Sequence, residues 1–314
     1  ATTAREAIEM AHRLKPDVMT LDLMLPDESG INVIETVTAD SSTPIVIVTS
    51  LSSESAESLP FRALEAGATD MVAKPKGDAA SLRRFFDDLN ERLASIAVAR
   101  SVPTYAPIAA VTPLVSSNGD VQIDCVVLGA SRGGPPAIVE FLRGLGEHFP
   151  APVVIVQHIA APFVDGLVRW LDKETPWWIS LAEDGHRPRA NHAYLAPAGC
   201  DVTFAAGGRL CVKKALTDHR GIAPSADALF ESAAETFRSR CAGVLLTGMG
   251  RDGAVGLLKM RSRGARTFGQ DERSCVVFGM PAAAGRLGAV EVFGEPKVLA
   301  SRLRRLAVKN ERMA

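Results

Sequence analysis

No stretch of this 314-residue chain is long and apolar enough to span a bilayer, and no signal-peptide pattern opens it, so no direct insertion into a membrane is expected. Nor is there an excess of charge of either sign. With 35 basic and 36 acidic residues the chain has no electrostatic footprint for nucleic acid or for an anionic membrane surface. Aromatic residues are scarce at 5%, and low-complexity segments and internal repeats are missing. Five cysteines, Cys125, Cys200, Cys211, Cys241 and Cys275, are odd in number and too scattered for a metal-ligand pattern, so buried thiols in a reducing cytoplasm are expected. The chain also begins at Ala1, without methionine and inside a helical pattern, and an N-terminal truncation is expected.

What is present is an apolar fraction of 47% on a length that favours two domains, each able to bury a core. Residues 4–14 carry an amphipathic helical stripe through Ala4, Ala7, Ile8, Ala11 and Leu14, ended by Lys15-Pro16. Apolar runs at 18–21, 45–48 and 71–73 then alternate with helical patterns around Val33 to Val37, 56–66 and 82–93. Strands alternating with helices imply βα units on a parallel sheet. From 99 to 119 the periodicity gives way to Pro, Ser and Gly linker chemistry, and a second alternating pattern begins near 120. Inside it, His192-Ala193-Tyr194-Leu195-Ala196-Pro197, 201–204 and 209–212 read as hairpin strands around Gly207-Gly208. The expected fold is α/β throughout: a flavodoxin-like parallel sheet over 1–98, a linker, and a doubly wound, mostly parallel domain over 120–314 with a hairpin insertion.

Two constellations carry chemistry. Asp22, Thr49 and Lys74 each follow or end an apolar strand, so a parallel sheet brings them to one edge. There a carboxylate can accept a phosphoryl group, a hydroxyl can bind the new oxygen and an ammonium can neutralise charge. Asp22-x-x-x-Pro26 with Gly30, then Thr49-Ser50, then Gly67-Ala68 and Lys74-Pro75, resembles the response-regulator receiver domain. That resemblance implies Asp22 as phosphoacceptor, Thr49 and Lys74 as switch residues, and magnesium as the cofactor of phosphorylation in an intact receiver. The acidic pair that helps hold magnesium in receivers, and the first strand before it, have no counterpart in this sequence.

The second constellation lies at three glycine-flanked loops, each following an apolar run. Gly129-Ala130-Ser131-Arg132-Gly133 fits G-x-S-x-G between a strand and a helix, where a sharp turn exposes the serine oxygen. The competing reading is a glycine-rich turn that caps a helix or binds phosphate; a dinucleotide fingerprint is disfavoured, for want of a recognisable G-x-G-x-x-G in the chain. Of six histidines, His158 alone ends a buried-strand run, and Asp252 follows Val244-Leu245-Leu246. Asp184 and Asp271 are rival carboxylates without such a strand before them. Ser131, His158 and Asp252 are therefore the expected nucleophile, acid/base and orienter of a serine hydrolase. Their order along the chain is that of neither α/β-hydrolases, chymotrypsin nor subtilisin.

The surrounding blocks are specific. Gly129 to Gly134, Gln157-His158, Ala182-Glu183-Asp184-Gly185, Ala193 to Pro197, Pro224-Ser225-x-Asp227, Leu246 to Gly253 and Ser274 to Pro281 together resemble the chemotaxis-receptor protein-glutamate methylesterase family. The resemblance implies phosphorylation-regulated hydrolysis of glutamate methyl esters on the cytoplasmic domain of methylated chemoreceptors, with glutamine deamidation as a companion activity and a histidine kinase as phosphodonor. Catalysis needs no cofactor. The Met249 backbone N–H is the implied oxyanion donor, and the N–H of Arg132 is a second candidate on geometric grounds. Arg132 and Arg251 depart from the family's usual small residue and asparagine. Either both point to solvent, or they narrow the cleft and alter substrate choice. Residues 217–222 also diverge from the family's basic stretch. Two alternatives stay open: a receiver-regulated signalling adaptor with an inactive or repurposed esterase domain, and a serine hydrolase of this fold acting on another ester.

Overall fold

In the computed structural model, the residues described are 1–41, 43–50, 59–75, 77, 79–101, 122–215 and 223–308. The chain divides into two compact units, passing from the first to the second at Pro103–Thr104. The expected linker falls mostly outside the described residues, as do 217–222 and the first residues of the helix expected from 56.

The first unit runs α1 (Ala4–Leu14), β1 (Met19–Leu21), α2 (Gly30–Asp40), β2 (Ile45–Thr49), α3 (Leu59–Glu65), β3 (Asp70–Ala73) and α4 (Ala79–Ser101). Thr3 caps α1, its side chain accepting the Glu6 N–H, and Lys15 closes the helix in a left-handed conformation just before Pro16. The three strands form a parallel sheet in the order β1-β2-β3, with Leu21 opposite Ile47 and Thr49 opposite Ala73. Helix α4 continues through Ser101, beyond the domain end expected at residue 98.

The second unit holds β4 (Cys125–Ala130), α5 (Gly134–Leu145), β5 (Val153–Gln157), α6 (Val164–Glu174), β6 (Trp178–Leu181), β7 (His192–Leu195), β8 (Cys200–Phe204), β9 (Leu210–Lys214), α7 (Ala226–Phe237), β10 (Cys241–Leu245), α8 (Ala254–Ser262), β11 (Arg266–Gln270), α9 (Met280–Arg286), β12 (Val292–Gly294) and α10 (Pro296–Val308). Seven strands make one sheet in the order β12-β11-β10-β4-β5-β7-β6, and every neighbouring pair is parallel. The three central strands are buried along their whole length. Burial on both faces is what their unbroken apolar runs dictate in a sheet covered by helices.

The hairpin needs a correction. His192–Leu195 is no hairpin strand: it pairs in parallel with both β5 and β6 inside the main sheet. The hairpin is β8 with β9, a separate antiparallel pair. Polar–apolar alternation in His192-Ala193-Tyr194 marks a strand but carries no information on its partner's direction. The buried-thiol expectation holds for Cys125 and Cys241, whereas Cys200, Cys211 and Cys275 are half-buried. Among the described residues no helix is long and apolar enough to cross a membrane.

Strand order positions the chemistry. From β4 the chain moves outward through β5 to the β7–β6 edge, then returns to the other side of β4 with β10. The sheet's direction of winding switches between β4 and β10, and open α/β sheets leave a crevice at the carboxyl ends of such a pair. Ser131 follows β4 and Asp252 lies in the loop after β10.

Candidate active site

Backbone hydrogen bonds carry the sheet's order into the functional loops. The Leu246 N–H donates to Gly129 O at 2.9 Å, the Ser131 N–H to Thr247 O at 3.0 Å, and the His158 N–H to Ala130 O at 3.0 Å. The turn after β4 is completed by Gly133 in a left-handed conformation (φ 72°) that excludes a side chain; a Cβ there would also lie 2.5 Å from Val276.

His158 Nε2 and Asp252 Oδ2 are 3.0 Å apart, with the imidazole mostly buried and the carboxylate buried. Asp252 receives three further hydrogen bonds, all from the start of α7. The Ser225 hydroxyl donates to Oδ1 at 3.0 Å, the Ala226 N–H to Oδ2 at 2.7 Å and the Asp227 N–H to Oδ1 at 3.0 Å. Burial by itself would raise the Asp252 pKa. The His158 hydrogen bond and charge and the two backbone N–H groups outweigh it, so the carboxyl group lies below its ordinary value. A carboxylate held charged in this way fixes the imidazole with its proton on Nε2, which leaves Nδ1 as the nitrogen able to accept a proton. Among the described residues Ser131 Oγ makes no hydrogen bond to His158, a separation common before substrate tightens such a site.

Gln157 ties the two loops together. Its buried side-chain amide donates to Ser131 O at 2.7 Å and to His158 O at 3.0 Å, so one Nε2 holds the carbonyls of both. Thr247, 1% exposed, fastens the opposite wall: its hydroxyl donates to Arg132 O at 3.0 Å and accepts the Val277 N–H at 3.0 Å. Gln270 at the end of β11 accepts the Thr247 N–H at 2.8 Å and donates to Ser274 O at 2.8 Å. The Met249 N–H has no hydrogen-bond partner among the described residues, the condition an oxyanion donor must meet.

The rival carboxylates are spent elsewhere. Asp184 Oδ1 accepts the Val212 N–H at 2.9 Å, and Asp271 Oδ1 accepts from the Ser274 N–H at 3.1 Å and hydroxyl at 2.6 Å. The two arginines part company. Arg251 is exposed, whereas Arg132 is only 7% exposed, its guanidinium against the Met249 sulfur. The reading in which both point to solvent is therefore wrong for Arg132. Gly248 to Gly253 also spells G-x-G-x-x-G between β10 and α8, so that spacing does occur in the chain. The charged Asp252 inside it would repel a pyrophosphate.

In the first unit, Asp22, Thr49 and Lys74 come to one sheet edge. Lys74 Nζ pairs with Asp22 Oδ2, the Lys74 N–H donates to Thr49 O at 2.8 Å, and Thr49 is buried. Among the described residues no group of three or more His, Cys, Asp or Glu could hold a metal ion. Asp22 is the one carboxylate of this constellation, and its Oδ2 is taken by Lys74. The described residues around Asp22 do not make a magnesium site.

Sequence reasoning missed the roles of Ser225, Gln157, Thr247 and Gln270. Pro224-Ser225 before an apolar helical run is a helix-start signal, and Gln270 ends an apolar strand as His158 does, so both left a trace. That these side chains face one another does not show in the sequence.

Both parts of the chain match known protein families. The CheB methylesterase family model matches residues 126–303, and the response regulator receiver domain model matches residues 1–85. A relative from Myxococcus xanthus, named protein-glutamate methylesterase/protein-glutamine glutaminase 3, is 39% identical over 90% of this chain and 79% of its own length. Another from Anaeromyxobacter dehalogenans, named protein-glutamate methylesterase/protein-glutamine glutaminase 2, is 40% identical over 91% of this chain and 82% of its own. The crystal structure of the Thermotoga maritima CheB methylesterase catalytic domain is 31% identical, with a TM-score of 0.56, covering 59% of this chain and all of that one. On these matches the chain belongs to the CheB methylesterase family, with a response regulator receiver domain preceding the methylesterase domain.

Proposed function

We propose that the chain is a receiver-regulated protein-glutamate methylesterase, hydrolysing γ-methyl esters of glutamate on the cytoplasmic domain of methylated chemoreceptors. The observation that carries this reading is the His158–Asp252 hydrogen bond at 3.0 Å, built beside Ser131 where the sheet's winding switches.

In the proposed reaction Ser131 Oγ attacks the ester carbonyl while His158 Nδ1 takes its proton. Negative charge develops on the former carbonyl oxygen, within reach of the Met249 N–H, with the Arg132 N–H as second donor. Asp252 stabilises the imidazolium. Collapse of the tetrahedral intermediate expels methanol, protonated by His158, and leaves a glutamyl ester on Ser131. Water, deprotonated by the same imidazole, then attacks that ester and releases the glutamate carboxylate and free serine. A glutamine side chain entering by the same route would lose ammonia in place of methanol, which accounts for deamidation as the companion activity.

Regulation is assigned to Asp22, as acceptor of a phosphoryl group from a histidine kinase, with Thr49 and Lys74 answering to it. Ester hydrolysis by this mechanism calls on protein groups and water alone. A substrate on receptor cytoplasmic helices places the enzyme in the cytoplasm.

The test follows volatile methanol from methyl-labelled receptor fragment, and ammonia from its glutamines, with the whole chain and with residues 120–314. Methanol release supports the esterase. Its failure in both forms favours the adaptor with an inactive esterase domain.

A further inference from the structure

We propose that Ser225 is a positioning residue of the hydrolysis, setting through its hydroxyl the charge that Asp252 presents to His158. The inference rests on the triad reading above and adds a fourth side chain to it.

Ser225 stands at the N-cap of α7, half-buried, and its oxygen works in two directions. It accepts the Ala228 N–H at 3.3 Å, the ordinary duty of a capping serine, and it donates its hydrogen to Asp252 Oδ1 at 3.0 Å. Capping needs only the acceptor. The donation points away from the helix, at a carboxylate 27 residues downstream whose other oxygen holds the catalytic imidazole. The serine is itself fixed from behind, since its backbone N–H donates to Asp201 Oδ1 on β8 at 2.8 Å. The hairpin thus meets Ser225 at its backbone N–H, and the start of α7 and the loop after β10 meet at its hydroxyl.

A hydrogen bond donated to one carboxylate oxygen withdraws negative charge from the other. Without the hydroxyl, Asp252 presents more charge to the Nε2–H of His158, and the imidazolium form is favoured. His158 is then protonated up to a higher pH, and the acid limb of kcat/KM moves upward with it. The other charged groups near the pair keep their places. Asp227 Oδ1 accepts the Gly256 N–H at 2.7 Å, the Arg132 guanidinium lies against Met249, and Arg251 is exposed. The Asp201 contact is to the Ser225 backbone and survives a side-chain change.

The experiment uses the full chain with Ser225→Ala and Ser225→Gly. Glycine caps helices within a few tenths of a kcal/mol of serine, so it removes the hydroxyl while sparing the fold. Each variant is read by imidazole NMR titration of His158 and by the pH profile of methanol release. The expected result is an upward shift, outside the error of the parent's curve, in both readouts and both variants. Titrations and acid limbs that coincide with the parent's, whatever happens to the melting temperature, overturn the proposal and leave Ser225 a cap alone. The NMR readout does not depend on turnover, so a failed triad reading and a failed Ser225 role are told apart.

Discussion

A single methyl group added at Gly134 should disable the site through Gln157. A Cβ at that position would lie 1.9 Å from Gln157 Oε1 and 2.8 Å from its Cδ. Ordinary contact begins near 3.4 Å, so the amide must retreat by about 1.5 Å. That retreat breaks both of its donations, to Ser131 O at 2.7 Å and to His158 O at 3.0 Å. Two lost hydrogen bonds destabilise the native state by about 1–3 kcal/mol. The larger effect falls on catalysis, because a displacement of about 1 Å between reacting groups costs on the order of 100-fold in rate. Gly134→Ala and Gln157→Ala are each expected to lower kcat in the methanol assay by roughly 10- to 100-fold, with KM little changed. In the Gln157→Ala background the two closest contacts are gone and the next is Ala130 Cβ at 3.0 Å, so Gly134→Ala should cost much less there than in the parent. The double-mutant cycle on kcat/KM therefore shows coupling of at least about 1 kcal/mol. Additive effects, or a Gly134→Ala enzyme within twofold of the parent, would refute the clamp.

Two further outcomes follow from the same geometry. The Asp252 carboxyl is lowered in the folded state, so its contribution is full above the ordinary carboxylate range near ~4 and is lost as pH falls through its lower folded value. Asp252→Asn should cost about 1–3 kcal/mol at pH 7, by leaving buried donors unmet, and the gap from the parent should narrow below about pH 4. All three tryptophans, Trp170, Trp177 and Trp178, lie in the second unit, so urea unfolding followed by their fluorescence reads that unit alone; a gap constant with pH would contradict the assignment. Arg132→Thr replaces a buried guanidinium beside Met249 with a small side chain, and it is expected to change KM for receptor severalfold more than kcat, as steady-state kinetics would show.

The parts of the site that were legible in the sequence are those that local pattern determines. Apolar runs announced β4, β5 and β10, and a polar residue just past a buried strand can only emerge at the sheet's edge. Ser131 and His158 were readable for that reason, as were Asp22, Thr49 and Lys74, whereas Asp252 lies farther past β10 and was readable only through its glycine-flanked loop. The direction of β7 was not readable, because alternation in His192-Ala193-Tyr194 is the same beside a parallel or an antiparallel neighbour. Arg132 misled in a different way: a long charged side chain is ordinarily left in water, and only the tertiary fold lays it against the Met249 sulfur. The cradle around Asp252 was hidden by distance along the chain. Ser225 signalled a helix start, and nothing local revealed that the same hydroxyl reaches a carboxylate from another loop.

The central claim, that Ser131 is the nucleophile of an ester hydrolase assembled with His158 and Asp252, is tested most directly by Ser131→Ala. Methanol release from methylated receptor should fall by on the order of 1000-fold or more, with the native fold retained. Methanol release persisting in the variant at the parent's rate would contradict the account.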